Sequence, residues 1–225
     1  AVQLPPTATS DTLGSSPALR TFLNKHLAPV STSLGACVLP GPVLDRHGRA
    51  IVARTVDPAT QGAWTPIDLE ETRSNLRVFR RPTADEGVLV ATLQAHLDGL
   101  GLTTGMRPIA QTSGDHLSTG TMVLRSLAGC GRQRSHQDRA HHHTTAPSFA
   151  HLPFGQVPLS VIWALEDQTT IIINEERYRI PKGQILVFRG DVCHAGDGYP
   201  GVNTRIHAYL DLADGRYISP FTGFC

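Results

Sequence analysis

The chain has 225 residues, 40% hydrophobic and 17% charged, which is enough apolar material to bury a substantial core. A formal net charge of +1 gives no general attraction to polyanions. Four scattered cysteines, Cys37, Cys130, Cys193 and Cys225, form no C-x-x-C pair, which argues against a structural zinc ribbon and leaves the redox compartment open.

No apolar run approaches the ~20 residues that span a bilayer. The chain begins at Ala1 rather than Met, as a processed product or an excised piece would. Residues 1–15, rich in Pro, Thr, Ser and Gly, read as an extended arm. Ser16-Pro17 is a helix start, and Leu19, Phe22, Leu23 and Leu27 recur at helical spacing, predicting a helix over 17–27 that Pro29 ends. Short apolar runs at 36–39 and 50–53 predict two strands joined by a turn at 45–48, and 57–64 reads as a loop. The spacing of Leu69, Leu76 and Phe79 predicts a helix over 68–80, with Arg73, Arg77, Arg80 and Arg81 as a basic, solvated flank. Thr83-Ala84-Asp85-Glu86 is a capping box, and Val88, Leu89, Leu93 and Leu97 continue a helix to Gly99.

The pattern changes after Gly101. Residues 106–111, 121–127, 159–165, 169–174, 177–180, 184–188 and 204–212 read as short strands rich in Ile, Val and Leu, without helices between them. Such a run predicts an antiparallel sandwich or barrel. The expected organisation is an arm (1–15), a helical and mixed support region (16–105) and a mostly β core (106–225) forming one integrated domain. On the last strand Ile206, Ala208, Leu210 and Leu212 share one face, and Arg205, His207, Tyr209 and Asp211 the other. If the N-terminal helices cover the apolar face, the polar face points into the barrel. A buried Arg205 then demands an anionic partner. Trp163 reads as core, and Arg125, Arg132 and Arg134 either enter the cavity or coat a strand.

His136-Gln137-Asp138 is an H-x-D triplet whose two outer side chains share one face of an extended strand. His194 follows a strand that ends in Phe188-Arg189-Gly190-Asp191. Two imidazoles and a carboxylate bind one face of an octahedral metal and leave positions open, the facial triad of non-haem iron oxygenases. Arg205 stands eleven positions after His194.

H-x-D, then G-D-x-x-H-A-G, then Arg on the next strand resembles the Fe(II)- and 2-oxoglutarate-dependent dioxygenases, over about 121–212. The resemblance implies a double-stranded β-helix (jelly roll) with N-terminal helices packed on the outer sheet face. It implies His136, Asp138 and His194 as catalytic iron ligands, and Arg205 as the anchor of the distal carboxylate of 2-oxoglutarate, with Gln133, His207 and Tyr209 as further co-substrate contacts. The implied cofactors are Fe(II), 2-oxoglutarate and O2, with ascorbate as a candidate reductant. The implied reaction is hydroxylation of a substrate C–H bond with release of succinate and CO2. A cupin would place His three positions after Gly183, where Leu186 stands. Two other readings remain: an inactive jelly-roll subunit of a larger assembly, and the same chemistry on a methylated nucleic-acid base, for which the basic flank would be the contact. Cys193, one residue before His194, points away from the site and reads as an inert buried thiol. Loops at 141–154 (with His141, His142, His143 and His151) and 197–203 should choose the substrate, which small-molecule, protein and nucleic-acid candidates leave unresolved.

Overall fold

The computed structural model of the chain describes residues 17–27, 35–60, 64–67, 76–106, 120–138, 151–152, 154–213 and 223–225. Among these it is mostly β, with three helices: α1 (Pro17–His26), α2 (Arg46–Val56) and α3 (Gly87–Gly99). The strands are β1 (Ala36–Leu39), β2 (Thr65–Pro66), β3 (Arg77–Arg80), β4 (Thr121–Ser126), β5 (His136–Gln137), β6 (Leu159–Ala164), β7 (Thr169–Ile173), β8 (Glu176–Ile180), β9 (Ile185–Arg189), β10 (His194–Gly196), β11 (Asn203–Leu210) and β12 (Gly223–Phe224). They form two antiparallel sheets, one ordered β1-β9-β6-β11-β4-β3-β2 and the other β12-β5-β10-β7-β8. No described helix is long and apolar enough to cross a membrane.

The alternation of the central strands builds two separate apolar layers. Ile206, Ala208 and Leu210 of β11, Val161 and Trp163 of β6, and Ile185 and Val187 of β9 face outward. They meet Leu19 and Leu23 of α1, Ile51 of α2, and Leu89, Leu93 and Leu97 of α3. The intervening residues face inward, where Ile162, Leu186 and Phe188 meet Ile171, Ile173, Tyr178 and Ile180 of the smaller sheet. The helical cover expected over Ile206, Ala208, Leu210 and Leu212 is present, and Trp163 lies in that layer. The large sheet also draws on the first half of the chain: β1 pairs with β9, and β3 with β4.

Local chemistry accounts for the element ends. Thr83 N donates to Glu86 Oε2 (2.8 Å) and Glu86 N to Thr83 Oγ1 (3.3 Å), so the reciprocal capping box forms ahead of α3. At the other end Leu102 N donates to Leu97 O (3.0 Å) and Gly101 N to Asp98 O (2.9 Å). These are the two bonds of a Schellman stop, and Gly101 supplies the left-handed residue (φ 70°). Between β7 and β8 the two loop residues Asn174 and Glu175 both take positive φ, the turn that suits the twist of a tight hairpin.

Two expected elements are different. Residues 50–53 are not a strand but the middle of α2, and 45–48 is not a turn but its start. Asp45 Oδ1 accepts from Gly48 N (2.7 Å), satisfying an otherwise orphaned helix donor. The helix expected over 68–80 is not formed at its C-terminal end, because 77–80 is strand β3, tied into the sheet through β4; 68–75, including Leu69 and Arg73, lie outside the described residues. The basic flank is consequently divided: Arg77 and Arg80 are buried, Arg81 is exposed, and Arg73 lies outside the described residues. Arg80 binds Glu86 through both guanidinium nitrogens (2.5 and 2.7 Å). Of the strand expected at 106–111 only Met106 is described, bridged to Leu212. The arm 1–15 and His141, His142 and His143 are outside the described residues.

Candidate metal centre

His136 and His194 face one another as a cross-strand pair between β5 and β10. Their ring centroids are 4.5 Å apart. Asp138, two residues after His136, returns its carboxylate to the same spot. Its Oδ1 lies 3.5 Å from His194 Nε2 and 4.0 Å from His136 Nε2. All three residues are buried, and their ligand atoms lie within 4.8 Å of one another.

The backbone fixes the ring orientations. His136 Nδ1 lies 2.9 Å from the carbonyl of Arg134, and His194 Nδ1 lies 3.1 Å from that of Val192. A carbonyl only accepts, so each Nδ1 carries a proton and each Nε2 is the nitrogen turned toward Asp138. Ser160, on the inward face of β6, donates to Asp138 Oδ2 (2.6 Å). The carboxylate is thereby divided: Oδ2 is held by the hydroxyl, and Oδ1 is left toward the imidazoles.

The electrostatics agree with a cation site. Burial opposes ionisation of Asp138, but His194, His207 and His136 outweigh it and hold the carboxyl well below its usual range. Burial, reinforced by His194, pushes His136 down to about 4. His194 is pushed the other way: burial lowers it, and contact with Asp138 more than compensates. His136 is therefore neutral at ordinary pH, the form that ligates a metal. The donor set fits a divalent ion that takes nitrogen and oxygen together.

The three residues share a cavity of about 120 Å³ with Gln133, Arg205, His207 and Tyr209, walled on its apolar side by Phe79, Met122, Leu124, Ile162 and Ile171. All four further residues named from sequence therefore reach it. Arg205 is 3% exposed, and no carboxylate lies at ion-pair distance from it among the described residues. Its Nη1 donates to Ser126 Oγ (3.1 Å) and Asn203 Oδ1 (3.4 Å). The Tyr199 ring supports its guanidinium (5.5 Å to the centroid). Tyr199 is itself pinned, its hydroxyl donating to Thr170 O (2.6 Å) and accepting from Thr170 N (2.9 Å). His207 Nε2 is buried without a hydrogen-bond partner, 3.8 Å from Asp138 Oδ2. Burial pushes this imidazole down to about 4 as well.

Gln133 has a fixed carbonyl end, Oε1 accepting from Gly196 N (2.9 Å). A Cβ at Gly196 would come within 2.4 Å of Gln133 Oε1 and 3.0 Å of Arg77 Nε, so a larger residue there would displace the Gln133 amide. The three arginines left open are placed as follows. Arg125 turns away from the cavity to the carbonyls of Thr55 and Asp57 (2.7 and 3.1 Å). Arg132 pairs with Glu175 at the surface (2.7 Å). Arg134 contributes its carbonyl to His136.

Sequence reasoning missed Ser160, Tyr199 and Arg77. A serine flanked by Leu159 and Val161 in a buried strand is the one legible trace of Ser160, since a buried hydroxyl needs a partner. It also misjudged Cys193, which is not an inert thiol but is bonded to Cys225.

No family model matches the sequence, and no curated protein matches it. Solved structures do. A prolyl hydroxylase of Trichoplax adhaerens, solved with a hypoxia inducible factor peptide fragment, superposes with a TM-score of 0.59 at 11% identity, covering 90% of this chain and 94% of its own. A Pseudomonas putida prolyl-4-hydroxylase superposes with a TM-score of 0.54 at 13% identity, covering 87% and 97%. SnoN, a non-heme alpha ketoglutarate dependent epimerase from nogalamycin biosynthesis, gives a TM-score of 0.57 at 13% identity, covering 87% and 84%. At these identities the likeness is one of fold. The resemblance to 2-oxoglutarate oxygenases thus rests on two independent features, this fold and the His136–Asp138–His194 cluster.

Proposed function

We propose that the chain is an Fe(II)- and 2-oxoglutarate-dependent oxygenase, built as a single double-stranded β-helix domain braced by N-terminal helices, and that it hydroxylates a C–H bond of its substrate. One observation carries the reading. The cavity that gathers His136 Nε2, His194 Nε2 and Asp138 Oδ1 also contains a buried Arg205 with no carboxylate partner among the described residues. A buried guanidinium of this kind suits a carboxylate ligand, which it can grip through two parallel hydrogen bonds. A dicarboxylate co-substrate supplies that partner and leaves a 2-oxo acid end for the metal.

His136, Asp138 and His194 would hold the iron, His136 as a neutral imidazole and Asp138 as a carboxylate, with His194 giving up its Nε2 proton in exchange for the ion. Iron held there would, with O2, supply the oxidative chemistry that converts 2-oxoglutarate to succinate and CO2. The chain's own groups do the positioning. Ser160 donates to Asp138 Oδ2 and so keeps Oδ1 toward the metal position. The carbonyls of Arg134 and Val192 keep both Nδ1 atoms protonated and both Nε2 atoms free to ligate. Ser126, Asn203 and Tyr199 hold Arg205 in one orientation, which lowers the entropy lost when a carboxylate binds. His207 Nε2, neutral and unpartnered, faces the same space and is assigned to co-substrate contact with Tyr209 and the free end of Gln133. The apolar wall keeps water from the reacting centre.

The test is anaerobic reconstitution with Fe(II), addition of 2-oxoglutarate, O2 and ascorbate, and measurement of succinate. Iron-dependent succinate that disappears in Asp138→Ala is the expected result. Equal turnover in wild type and Asp138→Ala would remove the site assignment. Failure of the folded wild type to bind iron would favour the inactive-subunit reading. The methylated-base reading loses two of the four arginines that motivated it, because Arg77 and Arg80 are buried.

A further inference from the structure

We propose that the Cys193–Cys225 disulfide is a clip on the metal-binding strand, so that thiol–disulfide exchange at this bond sets how tightly the His136–Asp138–His194 cluster holds a divalent ion. The metal part of this inference rests on the site reading proposed above.

Cys193 immediately precedes His194, and Cys225 immediately follows Phe224. Phe224 is in register with His136, and His136 with His194. The bond therefore joins the chain at the start of β10 to the chain at the end of β12, the two strands that flank β5. It spans 32 residues of sequence and a Cα–Cα distance of 6.2 Å.

Among the described residues β5 has few other ties. It is two residues long and meets β10 through one register pair. Its remaining backbone attachments are to β12: two register pairs, and Cys225 N donating to Ser135 O (3.1 Å). Beside these, Gln137 Nε2 donates to Asp191 O (2.7 Å), and Gln133 N to Gly196 O (2.9 Å). Opening the disulfide removes the covalent hold on β12 and leaves the β12–β5–β10 arrangement to these few hydrogen bonds alone. Two imidazoles that must stay in ligating geometry are then held by fewer constraints, and affinity falls with the loss of pre-organisation.

The bond can be reached. Cys225 is exposed and Cys193 half-buried, whereas the free thiols Cys37 and Cys130 are buried. An external dithiol is thus the fitting reductant. Its thiolate attacks Sγ of Cys225, the S–S bond breaks, and Cys193 leaves as a thiolate. The second thiol of the reductant then resolves the mixed disulfide. Two cysteine thiols form, and the reductant becomes a disulfide.

Mn(II) alone is the probe, with affinity read from the electron paramagnetic resonance of the free ion. The oxidised protein is compared with protein reduced by a dithiol that is removed anaerobically before titration. We expect binding at least tenfold weaker after reduction, recovered on reoxidation, and equally weak in Cys193→Ser/Cys225→Ser. By linkage, saturating Mn(II) should move the midpoint of the disulfide about 30 mV more negative, the equivalent of that tenfold change for two electrons. Affinities within twofold of each other in the oxidised and reduced protein would overturn the proposal. If the oxidised protein binds no Mn(II), the site reading fails separately. Hydrogen exchange at the His136 and Gln137 amides then decides the clip: faster by tenfold on reduction supports it, and unchanged rates overturn it.

Discussion

A single carboxylate organises the cavity. Asp138 meets Ser160 through one oxygen and two imidazoles through the other, and His207 stands 3.8 Å behind. Arg205 is the second fixed point, and it is held without a counter-charge from the described residues. Removing its charge should therefore weaken co-substrate binding specifically. Truncating a buried, hydrogen-bonded charge partner costs about 3 kcal/mol, so Arg205→Met should raise the KM for 2-oxoglutarate about a hundredfold. Steady-state kinetics with 2-oxoglutarate varied would check this, and an unchanged KM would show that the carboxylate binds elsewhere. Arg205→Lys should be intermediate, since an ammonium keeps the charge but not the planar fork.

The start of α3 joins local capping to tertiary charge pairing. Glu86 accepts from Thr83 N (2.8 Å), from Thr55 Oγ1 (2.7 Å) and from both Arg80 nitrogens. Burial raises its pKa, but Arg80, Thr83 and Thr55 outweigh that and bring it from 4.5 to about 2. A depressed carboxyl pKa stabilises the fold above the unfolded value and loses that contribution as pH falls through the folded one. The shift is equivalent to about 3 kcal/mol at neutral pH, fully present above about pH 5 and roughly halved near pH 3. Urea unfolding of wild type and Glu86→Gln between pH 7 and pH 3 should show the stability gap narrowing with acid. A gap that is the same at both ends would mean that Glu86 acts only through packing.

On the scale of the molecule, the His136–Asp138–His194 cluster joins β5 and β10, which share a single register pair among the described residues. β5 and β10 are two and three residues long, yet they carry His136 and His194. A divalent ion binding there binds the native state alone, so it should stabilise the whole fold. Saturation to a hundred times the dissociation constant adds about 2.7 kcal/mol, or roughly 5–10 °C in Tm for a domain of this size. Differential scanning calorimetry with Mn(II) should show the rise, a chelator should reverse it, and Asp138→Ala should lack it. A rise retained in Asp138→Ala would place the ion at another position.

Much of the site was legible from sequence because its chemistry has short-range signatures. H-x-D on an extended strand puts two ligands on one face, and the alternation from Arg205 to Leu212 separates a helix-covered side from a cavity side. The capping box and the end of α3 at Gly99 were readable for the same reason, although the left-handed residue of the stop is Gly101 rather than Gly99. Where local spacing was ambiguous, tertiary context decided. Leu76 and Phe79 fit a helical period, but 77–80 hydrogen-bonds to β4 and becomes a strand. Residues 50–53 look like a short strand, but Asp45 caps a helix across them. The sequence by itself determined the residue types of the site, the strand-rich second half and the need for a helical cover. Only the tertiary structure decided that His136 stands opposite His194, that Ser160 orients Asp138, and that Cys193 is bonded to Cys225. Those contacts join residues 22 to 58 positions apart, and the pairing of strands distant in sequence, not local spacing, brings them together.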